Sequence, residues 1–373
     1  MGKCRYCGRG SVTISDYVGV CVECLRKGLQ PLRDLHSESR ARFNLPVPRG
    51  ALGLGVKCSL CGRQCTVEPG GRGYCGYRVE ERGRLVPSTG SLEEAVGLYY
   101  YDPHPTNCVA YPVCPAVTGL GYPEYALTPR GESGYYNIAV FYGGCNLDCL
   151  YCQNWEYREM AFKAKPRLSI NALVEAVNQK TTCVCYFGGD PGPFAPHAIL
   201  SSKKMLERAK SIGLRVFRVC WETNGLWNSA LLEEATKLSL VSGGIVKIDF
   251  KAWSPEVYRA LCGIESKHVE LIRRNIALVA KYAAKRKKPP LLVVSTLLVP
   301  GYVDDYEVDQ MTRYVASLDP ETPYVFLGFH PDYMLTDLPT TSWRHVEAAE
   351  KIARENGLKH VYVGNVFLLG YSY

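Results

Sequence analysis

From residue 136 onward, short runs rich in β-branched and aromatic residues recur: YNIAVFY (136–142), TCVCYF (182–187), LRVFRVC (214–220), GIVKIDF (244–250), LLVVSTLLV (291–299) and YVFLGF (324–329). Between them, apolar positions repeat at helical spacing over 170–179, 199–212, 230–240, 269–285, 308–318 and 343–356. Strands alternating with helices predict a parallel sheet, because each return to the same edge needs a crossover helix. Six such units and a closing run, HVYVG, predict an α/β fold of the partial (β/α)6 barrel type. In such folds ligands bind at the carboxyl ends of the strands.

The first 135 residues have a different texture. Residues 1–24 hold two CxxC pairs and read as a zinc-ribbon-like module. Residues 25–57 form a basic connector with Pro31, Pro46 and Pro48, predicted to be a partly ordered arm over the main body. Residues 58–135 are rich in Cys, Gly, Pro and Tyr, show little sustained periodicity and predict a loop-rich, metal-pinned segment ahead of the barrel at 136–373.

No apolar run reaches the roughly 18 residues needed to span a bilayer, and the N-terminus MGKCRYCG shows no leader pattern, so a cytoplasmic location is expected. In that reducing compartment the 17 cysteines read as metal ligands before disulfides. A net charge of +8 is mild for 373 residues and serves either solubility or an acidic partner such as RNA. Its densest run, Lys285–Lys288 (KRKK), precedes Pro289 and is expected to be a solvated helix cap.

The unusual polar and glycine-rich segments all follow predicted strands. GGCNLDCLYCQNW (143–155) follows the first, GGDPGP (188–193) the second and ETNG (222–225) the third. The fourth carries Asp249 and Lys251 near its end, the fifth runs into VPGYVDD and the sixth into FHPDY. One rim of the barrel therefore collects them, and that rim is the predicted site.

Cys145, Cys149 and Cys152 carry the most specific signal. With 17 cysteines in 373 positions, the spacing Cys-x3-Cys-x2-Cys arises by chance only ~0.04 times in such a chain. Buried structural thiols would need neither a Gly-Gly lead-in nor a surface loop. Thiolates so spaced suit zinc or an iron–sulfur cluster, yet a structural zinc closes with four ligands. Three thiolates on a four-iron cluster leave one iron open to a substrate or cofactor.

This triad, with Tyr151 ahead of its last cysteine, resembles the signature of radical S-adenosylmethionine (SAM) enzymes. The resemblance implies a 4Fe-4S cluster whose open iron chelates the methionine moiety of SAM. Reductive cleavage then gives a 5′-deoxyadenosyl radical that abstracts hydrogen from a substrate. By the same resemblance Gly188, Gly189 and Asp190 receive the methionine ammonium. CLYCQNW, DFKAWSPEVYRALCG (249–263), TLLVPGYVDD (296–305) and FHPDY (329–333) narrow the likeness to the pyruvate formate-lyase activating enzyme branch, especially archaeal and bacterial relatives with cysteine-rich N-terminal extensions. This implies that Asp249 holds the ribose hydroxyls, Lys251 the methionine carboxylate, that His330 also faces SAM, and that Thr223 and Asn224 line the cleft. A strand-end ion pair explains Asp249 and Lys251 otherwise, and an ordinary turn explains Thr223 and Asn224.

Two further cysteine sets lie upstream. Cys4, Cys7, Cys21 and Cys24, with 13 residues between the pairs, predict a tetrahedral zinc site. Cys58, Cys61, Cys65 and Cys75 form a second quartet for structural zinc or an auxiliary iron–sulfur cluster. Cys108 and Cys114 stand in the proline-rich TNCVAYPVCP, where a redox or substrate role is open, while Cys183, Cys185, Cys220 and Cys262 read as buried apolar thiols.

The activase branch implies a reducing electron donor and a protein or peptide residue as substrate. The ribbon, the second quartet and the Cys108/Cys114 loop depart from the simple activase pattern and put glycyl-radical activation in doubt. RNA modification, C-methylation (with no recognisable cobalamin-binding domain) and a non-catalytic metal-binding scaffold are the other readings.

Overall fold

The computed structural model describes residues 1–47, 55–106 and 108–373. Residues 48–54 of the connector, Pro48 among them, and Asn107 of the proline-rich loop lie outside the described residues. Seven parallel strands succeed one another across a single sheet: β1 (Tyr136–Tyr142), β2 (Thr181–Gly188), β3 (Arg218–Thr223), β4 (Val246–Asp249), β5 (Leu292–Leu298), β6 (Tyr324–Gly328) and β7 (Val361–Gly364). Each pairs only with its chain neighbours among the seven, so β7 ends one edge. Two antiparallel strands, Glu94–Pro103 and Arg167–Ser169, extend the sheet beyond β1. The barrel is therefore open, as the alternation of runs predicts.

The strand and helix positions follow the periodicity with modest shifts. The third strand begins at Arg218, later than the apolar run at 214, where its pairing with β2 starts opposite Cys183. Helices return the chain at Ile170–Ala176, Ala195–Ser211, Ser229–Ser242, Ser266–Ala283, Asp305–Leu318 and Trp343–Glu355. Ser169, Asn228, Asp304 and Ser342 cap four of these by accepting from backbone N–H groups of the first turn.

Segment 58–135 is more regular than its composition predicts. It contains the ten-residue strand Glu94–Pro103, which pairs with β1 from Gly97–Tyr142 to Pro103–Tyr136, and a hairpin of Arg78–Glu81 with Arg84–Pro87. Downstream, Ala110 and Val113 pack on Ile245, Val293 and Val325, whose side chains point into the barrel. The segment around Cys108 and Cys114 thus plugs the barrel interior.

The basic run at 285–288 corrects the expected solvated cap. Lys285, Lys287 and Lys288 are exposed, but Arg286 is buried and donates to the carbonyls of Ser239, Leu240, Gly244 and Pro289. It caps the neighbouring helix Ser229–Ser242, whose last carbonyls have no partner within their own helix. The N-terminal module docks on the loops after β5 and β6: the Tyr302 hydroxyl donates to Val20 O, and Ser15 Oγ donates to Asp337 at 2.9 Å. No helix of the described residues is long and apolar enough to cross a membrane.

Candidate functional site

The carboxyl ends of β1 to β6 open into one cavity of about 220 Å³. Its walls include Cys145, Cys149, Tyr151 and Cys152 from the loop after β1, Gly188 to Asp190 after β2, Thr223 and Asn224 at the end of β3, and Asp249 and Lys251 of β4. The sequence places each of these on the rim; the fold brings them to one cleft.

The triad loop is anchored at Asp148, between its first two cysteines. Asp148, fully buried, accepts from Arg158 Nη2 at 2.8 Å, from Ser39 Oγ at 3.0 Å and lies 3.2 Å from His36 Nδ1. Burial opposes its charge, but His36 and Arg158 outweigh that and hold the carboxyl well below the usual range. The connector is thus a docked arm at His36 and Ser39, on the helix Leu35–Ala41. Burial drives the Cys145 thiol well up and that of Cys152 to about 11.

The loop after β2 needs its glycines. A Cβ on Gly189 would lie 2.2 Å from Gly144 O, and Gly188 adopts φ +103° with its Cβ position 2.5 Å from Tyr142 N. Asp190, 2 % exposed, accepts from Gly192 N at 2.7 Å, Asn224 N at 2.7 Å and Thr223 Oγ1 at 2.8 Å. The acid therefore joins the ends of β2 and β3. Burial lifts its pKa to about 6 against those three donors, with Asp249 adding repulsion. Thr223 and Asn224 thus tie the end of β3 to the acid.

At the cleft floor Asp249 accepts from Lys247 Nζ at 2.8 Å, Ser295 Oγ at 2.7 Å and Lys251 Nζ at 3.1 Å, while Lys247 also lies 3.3 Å from Glu222. Burial works against Asp249 ionising, yet the two lysines leave it well below the ordinary carboxylate range. The ion pair anticipated at this strand end is present, and it faces the cleft. His330 is 3.8 Å from Asp332 and is not among the residues that line the cavity.

Residues 139–315 match the model of the radical SAM superfamily. The chain carries a radical SAM domain. It is 26 % identical over 322 residues to an uncharacterised protein of Methanocaldococcus jannaschii, covering 83 % of this chain and 81 % of that one. A second uncharacterised protein of the same organism is 23 % identical over 237 residues, with 60 % of this chain and 63 % of that one covered. Among solved structures, a domain of pyruvate-formate lyase-activating enzyme from Bacteroides vulgatus aligns with a TM-score of 0.36 and 21 % identity, over 49 % of this chain and 98 % of that domain.

The radical SAM domain implies a 4Fe-4S cluster and SAM, and the donor set fits both: three soft thiols on one loop, those of Cys145 and Cys149 buried and that of Cys152 half-buried, with acid and base across the same cleft. Two features of the site escape a reading by motif. Lys247, whose side chain is 6 % exposed, is one more inward position of β4 and bridges Glu222 to Asp249; its strand alternation is the signal that could have found it. Cys262 lies 3.5 Å from Cys149 Sγ and 3.4 Å from the Tyr151 hydroxyl. It packs behind the triad, outside the cavity lining, where it hydrogen-bonds the Cys149 sulfur without joining the open face.

Cys108, Cys114, Cys183, Cys185 and Cys220 line a second cavity of about 200 Å³ inside the barrel, which shares Phe187 and Glu222 with the first. Burial raises the pKa of all five thiols, and Cys108 Sγ donates to Glu222 at 3.3 Å. In the N-terminal module the sulfurs of Cys4, Cys7, Cys21 and Cys24 all lie within 4.8 Å of one another, a set that could hold a metal ion. Cys58, Cys61, Cys65 and Cys75 surround a small space of their own.

Proposed function

We propose that this chain binds SAM in the cleft, cleaves it reductively and directs the 5′-deoxyadenosyl radical at a C–H bond of a protein or peptide residue. One observation carries the reading: three thiols of one loop, a Gly-Gly-Asp turn and an Asp–Lys pair line one cavity. When bound, the cluster supplies the electron and SAM the radical. The chain supplies position and exclusion of water.

Cys145, Cys149 and Cys152 hold the cluster. Gly188 and Gly189 let backbone carbonyls approach the methionine ammonium, and Asp190 adds a negative charge behind them. Lys251 reaches the methionine carboxylate and Asp249 the ribose hydroxyls, while Tyr151, Thr223 and Asn224 shape the wall. The inner cavity, which meets the cleft at Phe187 and Glu222, receives the reacting group of the substrate. The protein or peptide class rests on the motifs shared with the activase branch. Cys4, Cys7, Cys21 and Cys24 hold zinc and stabilise a module that has little core of its own.

The test is SAM cleavage by anaerobically reconstituted protein reduced with dithionite. The expected product is 5′-deoxyadenosine; none from protein that has bound iron and sulfide would overturn the reading. Asp190 adds a pH signature. Its folded pKa, about 6, exceeds the unfolded value of about 3.9, so its ionisation costs folding stability as pH rises between the two. Binding a sulfonium ligand gains from the same ionisation. SAM affinity measured by calorimetry should therefore rise with pH and level off above about 7, falling up to about tenfold per unit below about 6. Asp190→Asn should bind weakly with no such profile; a profile unchanged in Asp190→Asn removes Asp190 from the assignment.

A further inference from the structure

We propose that Cys58, Cys61, Cys65 and Cys75 hold a second iron–sulfur cluster, not zinc, and that this cluster is coupled to the triad loop through Asn146. The coupling clause rests on the reading of the triad given above; the identity of the metal does not.

The first argument is spacing. A zinc ion about 2.3 Å from each of four sulfurs draws those sulfurs to about 3.8 Å from one another and leaves nothing between them. The Cys4 set meets that condition, with every sulfur within 4.8 Å of the others. Among the described residues no three sulfurs of the second quartet do. They surround instead a space with room for a water-sized sphere. A cube of four irons separates its thiolates more widely than one ion does.

The second argument is the lining. Arg63, Tyr74 and Arg78 stand around the same space. Arg78 and Tyr74 are each only 5 % exposed, and Arg78 Nε and the Tyr74 hydroxyl are buried with no hydrogen-bond partner. Unpartnered buried donors are uncommon and costly. An anionic cluster with sulfide and thiolate acceptors would satisfy both, and the guanidinium groups of Arg63 and Arg78 would offset its charge.

The third argument is position. Asn146, within the triad loop, lines the quartet's space. Its Oδ1 accepts from Asn224 Nδ2 at 2.8 Å, and the same Asn224 nitrogen is 3.7 Å from Cys145 Sγ. On the other flank, the Cβ position of Gly144 would lie 2.8 Å from Cys75 O, so only glycine permits this approach of the two loops. Gly62 N donates to Leu226 O at 3.0 Å and Cys61 pairs with Trp227, which fixes the quartet to the end of β3. Four thiolates saturate a four-iron cube, so this site has no open iron for SAM. It is a neighbour to the triad cluster, not a duplicate of it.

The experiment compares three proteins after anaerobic reconstitution with iron and sulfide: wild type, the triple variant Cys145→Ala/Cys149→Ala/Cys152→Ala, and the double variant Cys58→Ala/Cys75→Ala. Expected contents per chain are about eight irons with one zinc for wild type, and about four irons with one zinc for each variant. A triple variant without iron, or a wild type with about four irons and two zincs, overturns the proposal. The wild-type count decides the matter even if a variant does not fold. If the triple variant keeps its iron and a folded double variant has none, the quartet is upheld and the triad assignment fails. Coupling is read by electron paramagnetic resonance of the dithionite-reduced proteins. The wild type should show spin–spin interaction absent from both variants; a wild-type spectrum equal to the sum of theirs removes the coupling through Asn146.

Discussion

Cys149→Ala is expected to abolish SAM cleavage, with 5′-deoxyadenosine falling to the level seen without protein. Cys149 is the middle cysteine of the triad and lines the cleft. Alanine there leaves two thiolates on the loop, too few to retain a four-iron cluster with one open corner. Cys262 sits 3.5 Å from the Cys149 sulfur, on the helix Pro255–Cys262 behind the loop and outside the cavity lining. The control is Val315→Ala, which trims a buried side chain of the helix Asp305–Leu318, away from both cavities, and should keep cleavage. Product is measured by chromatography after dithionite reduction, alongside iron content. Retained cleavage in Cys149→Ala would refute the ligand assignment, and equal loss in Val315→Ala would show that the readout reports folding.

Asp148→Ala is expected to carry the largest cost in stability. The substitution removes the acceptor for Arg158, Ser39 and His36 and leaves the Arg158 guanidinium fully buried without its counter-charge. Breaking a buried pair from one side costs about 3–5 kcal/mol, because the remaining charge has no solvent to return to. Urea denaturation should show this as a lower midpoint, and loss of the His36 and Ser39 contacts should make the helix Leu35–Ala41 open to proteolysis. A midpoint within about 0.5 kcal/mol of wild type, the range of ordinary surface substitutions, would refute the anchoring role. The pH dependence has a fixed sign. Asp148 has a folded pKa below its unfolded value. Its stabilisation is therefore full above about pH 4 and is lost as pH falls toward the folded pKa. Acid denaturation of the wild type should begin at lower pH than that of a variant with the Asp148 carboxylate spared and Arg158→Met in place.

Much of the barrel was legible because its signal is local. Burial on both faces makes strands such as Leu292–Leu298 continuous apolar runs, and helices such as Trp343–Glu355 show one apolar face. The strand Glu94–Pro103 was hidden for the opposite reason. It borders the parallel strands and leaves Leu98, Tyr100 and Tyr101 exposed, so its aromatic residues do not alternate with polar ones. Arg286 was misread because its run is basic on every side, and only packing tells a capping guanidinium from its solvated neighbours.

The sequence by itself determined the alternating α/β architecture, the rim that carries the site, and the cysteine sets, since each depends on spacing between residues near in the chain. Tertiary structure alone decided what those residues touch. Asp148 meets His36 across 112 positions, Cys149 meets Cys262 across 113, and Asn146 stands between the triad and a quartet more than a strand away. The physical reason is that periodicity records which side of an element is buried, whereas the partner on that side is chosen by how the elements pack. Charges, thiols and orphaned donors acquire their chemistry from that choice.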